Sequence, residues 1–155
     1  MTLSNLRWGE LAAVIGAALL AIGVFLPWYG TGNENSLITD SCKGASQSCS
    51  AWDVEPVLRF VLLLAAIAPF VLAWIILRGH SLSWPRGELT AVIGITTVTI
   101  ILVRGFVFRP GEPSGQISLE IGYFLSLLGA VLILLGAVVR TTEIGGRPKK
   151  PPGVI

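Results

Sequence analysis

The sequence predicts an all-α, polytopic membrane protein, a bundle of four transmembrane helices, on three observations. Four apolar runs, at about residues 10–28, 54–77, 88–108 and 118–139, are each long enough to cross a bilayer. Charged residues make up 13% of the 155-residue chain and mean hydropathy is +0.77, where a soluble domain carries about 25% charge. The cations also segregate to one side of a four-span topology. Hydrocarbon offers the backbone no water, so each run must satisfy its own N–H and C=O groups as a helix.

Orientation follows from Lys and Arg. Arg7, Arg78, Arg86, Arg140, Arg147, Lys149 and Lys150 share one side, Lys43 and Arg109 the other, and Arg59 and Arg104 lie within spans. The positive-inside rule then predicts a multi-pass protein of the plasma membrane with both termini cytoplasmic. The net charge of +2 gives no footing for nucleic-acid binding.

The first run, 10–28, resembles a signal peptide in having a short basic lead and an apolar stretch. The bulky Phe25-Leu26-Pro27-Trp28-Tyr29 is a poor cleavage site, and a retained span is expected. Gly9, Ala13, Ala17 and Ala21 form a small-residue stripe of the kind that lets helices approach closely in lipid. Glu10 sits in the first turn, favoured by the helix dipole, with Arg7 as a local partner. Trp8, Trp28, Trp52, Trp74 and Trp84 all fall near span ends and read as interfacial anchors.

Residues 29–53 form the one substantial external loop, too polar to build a core of its own. Its Cys42 and Cys49 are the only cysteines, and outside the cytoplasm a disulfide is expected. Closing so short a loop contributes about 2.5 kcal/mol on the chain-entropy estimate. Redox catalysis in the manner of four-span quinone-linked enzymes needs a Cys-x-x-Cys pair and a second pair, neither of which is present.

In the second run, 54–77, Asp53 is placed to cap the helix and Pro56 to occupy its first turn. Glu55 and Arg59 are spaced for a local ion pair, and Pro69 predicts a kink near Ala65.

The third run, 88–108, opens with Gly87-Glu88-Leu89-Thr90-Ala91-Val92-Ile93-Gly94, which repeats Gly9 to Gly16 (GELAAVIG) at seven of eight positions. Two readings stand: two parallel two-helix repeats, or coincidence among common membrane residues. Thr90, Thr96, Thr97 and Thr99 can bond back to their own helix. Arg104 has no partner three or four residues away, so it is expected to pair with Glu120 or with an acid of the second helix, pinning the external ends together. A charged vestibule binding an anion is the sharper alternative.

The fourth run, 118–139, carries a second small stripe at Gly122, Ser126 and Ala130. The basic, Pro-rich tail, 141–155, reads as a cytoplasmic segment attracted to anionic headgroups or simply obeying the positive-inside rule. His80 stands alone, and no GxSxG, HExxH or phosphate-cradling loop occurs, so no catalytic residue, metal site or cofactor is predicted.

Leu26-Pro27-Trp28 closing the first run, Ser50-Ala51-Trp52-Asp53 opening the second, and Arg109-Pro110 with further Gly and Pro in the third connection resemble a group of small four-span proteins of actinobacteria. That resemblance implies the topology and no activity. The layout is also similar to that of claudins, with internal termini and a long first external loop bearing a Trp and two Cys. The loop is shorter and more polar than a claudin sheet requires, and Gly-Leu-Trp is missing before the first Cys, so the likeness is one of architecture. The leading expectation is a non-enzymatic accessory or scaffolding subunit whose partners are the bilayer and another membrane protein or further copies of itself. A small transporter or channel component is the alternative, ahead of a membrane-embedded redox or lipid enzyme.

Overall fold

The computed structural model describes residues 8–31, 48–78, 86–110 and 117–145. In chain order these form α1 (Trp8–Phe25), β1 (Pro27–Thr31), β2 (Ser48–Ser50), a short α2 (Ala51–Val54), α3 (Leu58–Leu77), α4 (Arg86–Phe106), β3 (Ile117–Leu119) and α5 (Ile121–Gly145). The helices α1, α3, α4 and α5 are each long and apolar enough to cross a membrane, as an all-α, multi-pass bundle requires.

The helix bounds differ from those hydropathy alone suggests: α1 and α4 end earlier, and α5 runs on to Gly145. The first run was expected to continue to 28, but α1 stops at Phe25. Pro27 disfavours helical backbone at Leu26 before it, and the chain turns into β1. The start of the fourth run is likewise not helical, because Ser118 and Leu119 belong to β3.

The three strands make one sheet in the order β2-β1-β3, both pairings antiparallel. It lies at the end of the bundle where α1 finishes and α5 starts, henceforth the sheet end. Residues 29–53 add to the core of the helices: Tyr29, Cys49 and Ala51 are buried with Trp28 in the main apolar cluster. The strands lie over helix ends whose apolar side chains need a cover. Cys49 is not a free thiol, whereas Cys42 lies outside the described residues, as do Arg7, His80, Trp84, Arg147, Lys149 and Lys150.

The helices do not pack evenly. α1 lies most closely on α5, α5 also on α4, and α1 on α3, whereas α3 and α4 barely touch. The reason is written in glycines seven residues apart. Gly9, Gly16 and Gly23 on α1 face Gly136, Gly129 and Gly122 on α5 in antiparallel register. A Cβ added to Gly16 would stand 2.6 Å from the Gly129 carbonyl oxygen and 2.8 Å from the Cβ of Leu132. Backbone meets backbone here, which is how helices gain packing energy in lipid without a hydrophobic drive.

Of the stripes expected from sequence, Gly9, Ala13, Ala17, Gly122, Ser126 and Ala130 are buried, and Ala21 is half-buried. The closest approach runs through the glycines rather than the alanines. The repeated octapeptide finds a use in the same terms. Gly87 and Gly94 set α4 against Thr141 and Leu134 on another face of α5. Both copies thus supply a Gly-x6-Gly edge to one helix.

Pro69 sits inside α3, which is helical on both sides of it. Its ring is buried and lines a void of about 10 Å³ next to Glu10, Thr90 and Arg140.

Candidate functional site at the sheet end

Beneath the sheet, polar side chains gather from every part of the fold. Glu55 lies in the turn between α2 and α3 and is 3% exposed. Arg104 comes from the last turn of α4. Its Nη2 stands 2.8 Å from Glu55 Oε2, closing the distance between two helices that otherwise barely meet. The Glu55 Oε1 is buried without a hydrogen-bond partner. Burial pushes the Glu55 carboxyl above its ordinary pKa, against the opposing pull of Arg104.

Arg104 therefore takes the acid that precedes the second long helix, and Glu120 is not its partner. The Glu120 carboxyl lies against Gly30, and its backbone N–H donates to the Trp28 carbonyl at 2.9 Å. The expected Glu55–Arg59 pair is corrected as well. An i, i+4 pair needs one continuous helix, and here α3 begins only at Leu58, after Pro56. Arg59 instead lays its guanidinium over the rings of Trp52 (4.6 Å) and Phe60 (4.8 Å). Its Nη1 donates to the Trp52 carbonyl at 3.0 Å. Asp53 belongs to α2, where its Oδ2 accepts from the Ser50 hydroxyl at 2.6 Å. It does not cap α3, whose N-cap is Val57.

Three residues that sequence reasoning passed over complete the cluster. Tyr29, on the middle strand, donates from its hydroxyl to the Arg104 carbonyl across a long 3.4 Å. Burial first, and Glu55 second, push the pKa of this phenol up, while Arg104 pulls it down. Tyr123 on α5 is fully buried and packs edge-to-face on Trp28. Arg109 donates from Nε to the Gly105 carbonyl (2.6 Å) and from Nη1 to the Ile117 carbonyl (3.1 Å), tying the end of α4 to β3. Trp28 is no interfacial anchor. It is wholly buried, with its indole N–H donating to the Gly23 carbonyl at 2.8 Å. Trp8 and Trp74 are exposed, as anchors should be.

The opposite end of the bundle has its own pin. Arg140 Nη2 lies 2.7 Å from Glu10 Oε1, with both side chains largely buried at the end of the glycine seam. Position 140 had signalled only membrane orientation, and the pairing of residues so far apart in sequence is visible only once α1 and α5 lie antiparallel.

Between α3 and α4, below the Glu55–Arg104 link, the bundle parts. Val61, Ala65, Val92, Thr96, Thr97 and Ile100 line an open cavity of about 260 Å³. The Thr97 hydroxyl is spent on the Ile93 carbonyl at 2.7 Å, leaving the lining apolar in character. Among the described residues, no group of three or more His, Cys, Asp and Glu side chains is placed to hold a metal ion.

No family model, curated protein or solved structure matches the chain. The reading of function rests on this geometry alone. Chemically, it is an arrangement that fixes helix ends: cations meet carboxylates or carbonyls, and the aromatic rings exclude water around them.

Proposed function

We propose that the chain is a non-enzymatic accessory or scaffolding subunit of a larger membrane complex. The observation that supports this reading is where the buried charges of the bundle go. Arg104 is spent on Glu55, Arg140 on Glu10 and Arg109 on two carbonyls, all of them links between elements of the fold. The glycine seam brings α1 and α5 too close for a polar path between them.

In this reading the protein lies in the plasma membrane with both termini cytoplasmic and the sheet outside. The orientation follows from the cations, with Arg78 and Arg140 at the end away from the sheet. A Cys42–Cys49 disulfide staples the segment between β1 and β2 in that oxidising compartment. A small transporter or channel component is the second reading. The parting between α3 and α4 speaks for it, and the apolar lining of that parting speaks against it.

Native mass spectrometry of the protein drawn from its own membrane in mild detergent tests the proposal. A stoichiometric second polypeptide is the expected result. A clean homo-oligomer overturns it and directs attention to ion-flux assays with Arg59 and Arg104 substituted.

A further inference from the structure

We infer that Arg59, stacked on Trp52 and Phe60, is a seat for the phosphate group of one phospholipid in the leaflet at the sheet end. This goes beyond the accessory-subunit reading and does not depend on it.

The first argument is a charge without a counter-ion. Arg104 is paired with Glu55 and Arg140 with Glu10, but among the described residues no carboxylate lies within ion-pair distance of Arg59. The nearby Asp53 carboxylate accepts from the Ser50 hydroxyl instead. A cation within a membrane-spanning segment that has no acid of its own needs an anion or water at its head.

The second argument is the state of the guanidinium. It lies 4.6 Å over the Trp52 ring and 4.8 Å over the Phe60 ring, which fixes its place on the surface of α3. Nη1 donates to the Trp52 carbonyl, and Nε is buried without an acceptor. Nη2 has no acceptor among the described residues and is not shut off from the surface. A phosphate oxygen meeting Nη2 would complete a charge-assisted hydrogen bond that the fold itself leaves unmade.

The third argument is depth. At the other end of α3, Arg78 lies 4.6 Å over the ring of Trp74. From Arg59 to Arg78 the helical rise amounts to about 28 Å, close to the thickness of the hydrocarbon layer, about 30 Å. The two stacked arginines therefore mark the two hydrocarbon boundaries, and Arg59 stands where the phosphates of its leaflet begin. A carboxylate on a partner's transmembrane helix would call for a cation deeper in the hydrocarbon. Beside Arg59, Phe25 and Phe60 are each more than half exposed and pack on Trp52, an apolar shoulder for the upper part of the same lipid.

The test titrates the full chain, in detergent, with phosphatidylglycerol and separately with diacylglycerol of the same tails. Native mass spectrometry gives the dissociation constant for the first lipid bound. Phosphatidylglycerol is expected to bind about fivefold more tightly, the worth of one basic residue at an anionic surface. Arg59→Gln should erase that preference, and Arg59→Lys, which keeps the charge, should restore most of it. Should Arg59→Gln not fold, the wild type in phosphatidylglycerol bilayers supplies the readout: lipid ³¹P should dephase the guanidinium carbon of Arg59 in solid-state NMR. Equal affinity for the two lipids, a preference that survives Arg59→Gln, or no dephasing overturns the inference. Displacement of the lipid by millimolar inorganic phosphate would assign the site to the free ion and overturn it too. So would a polypeptide adduct, in place of a lipid, at a photo-reactive residue substituted for Phe60 in native membranes. A homo-oligomer in the native mass spectrum would remove the accessory reading and leave this lipid preference intact.

Discussion

The seam between α1 and α5 and the seam between α3 and α4 are made by helices of similar length and hydropathy, yet one is closed and the other is open. In water both would close, since burying aliphatic surface is favourable wherever it occurs. In lipid the tails are as apolar as leucine, and what remains is the quality of backbone and side-chain packing. Glycines at seven-residue spacing let α1 and α5 touch backbone to backbone. Across α3 and α4 the residues lining the parting include Val61, Leu64, Val92 and Ile100, and no glycine of α4 is pressed against α3. The link at the sheet end is electrostatic, Arg104 to Glu55, and the fold uses it where packing does not join the helices.

The contrast predicts that enlarging one residue has very unequal consequences in the two seams. Gly129→Leu drives a side chain into the Gly16 carbonyl and the Leu20 backbone, each 2.5 Å from where even a Cβ would sit. Overpacking ordinarily costs about 1–3 kcal/mol, and with backbone on the receiving side the cost is expected at or above the top of that range. Thermal unfolding in detergent should show loss of the cooperative transition or a large fall in its midpoint. A wild-type midpoint would mean that the glycine seam does not hold the bundle.

Next in size is the polar link. Arg104→Leu leaves the nearly buried Glu55 carboxylate without its cation. Breaking a fully buried pair costs about 3–5 kcal/mol, and the partial exposure of Arg104 reduces the expectation to about 1–3 kcal/mol. Removing both partners, as Glu55→Leu with Arg104→Leu, should recover most of the loss, because no charge is then stranded. If the double variant unfolds as early as the single one, the charge pair is not what joins the ends of α3 and α4.

Smaller again is a pH effect. Burial raises the folded-state pKa of Glu55, so the folded protein binds that proton more tightly than the unfolded chain does. Through this group, stability falls as pH rises from the ordinary carboxylate range to the raised value, and is regained on acidification. Glu55→Gln should remove this slope, as read from denaturation midpoints across that range. An unchanged slope would assign it to another group.

The smallest change is expected from Thr96→Phe, which puts bulk into an open seam. Its stability should lie within about 0.5 kcal/mol of the wild type, in the manner of surface substitutions. A cost as large as that at Gly129 would erase the distinction between the seams.

Much of the fold was legible because the bilayer imposes it. Four apolar runs could only be helices, and their number and order follow from hydropathy. The glycine seam was legible too, in Gly9, Gly16, Gly23 and Gly122, Gly129, Gly136, but attention to small residues four apart selected the alanines beside it. Neighbouring charges misled. Glu55 and Arg59 have the spacing of a helical pair, yet the helix starts between them. Glu120 was reasonable by level in the membrane, and its carboxyl went to Gly30 instead.

By itself, then, the sequence determined class, span number and the residues that cannot face lipid unaccompanied. Each of these depends on the chain's own composition and on hydrocarbon's inability to hydrogen-bond. Tertiary structure alone decided which helices are neighbours, and with that the partners of Glu10, Arg104 and Arg109, the sheet that joins β1 to segments far along the chain, and the cavity left between α3, which has no glycine, and α4, whose glycines face α5. These depend on distances between residues remote in sequence. Local spacing carries no information about such distances until the bundle has closed.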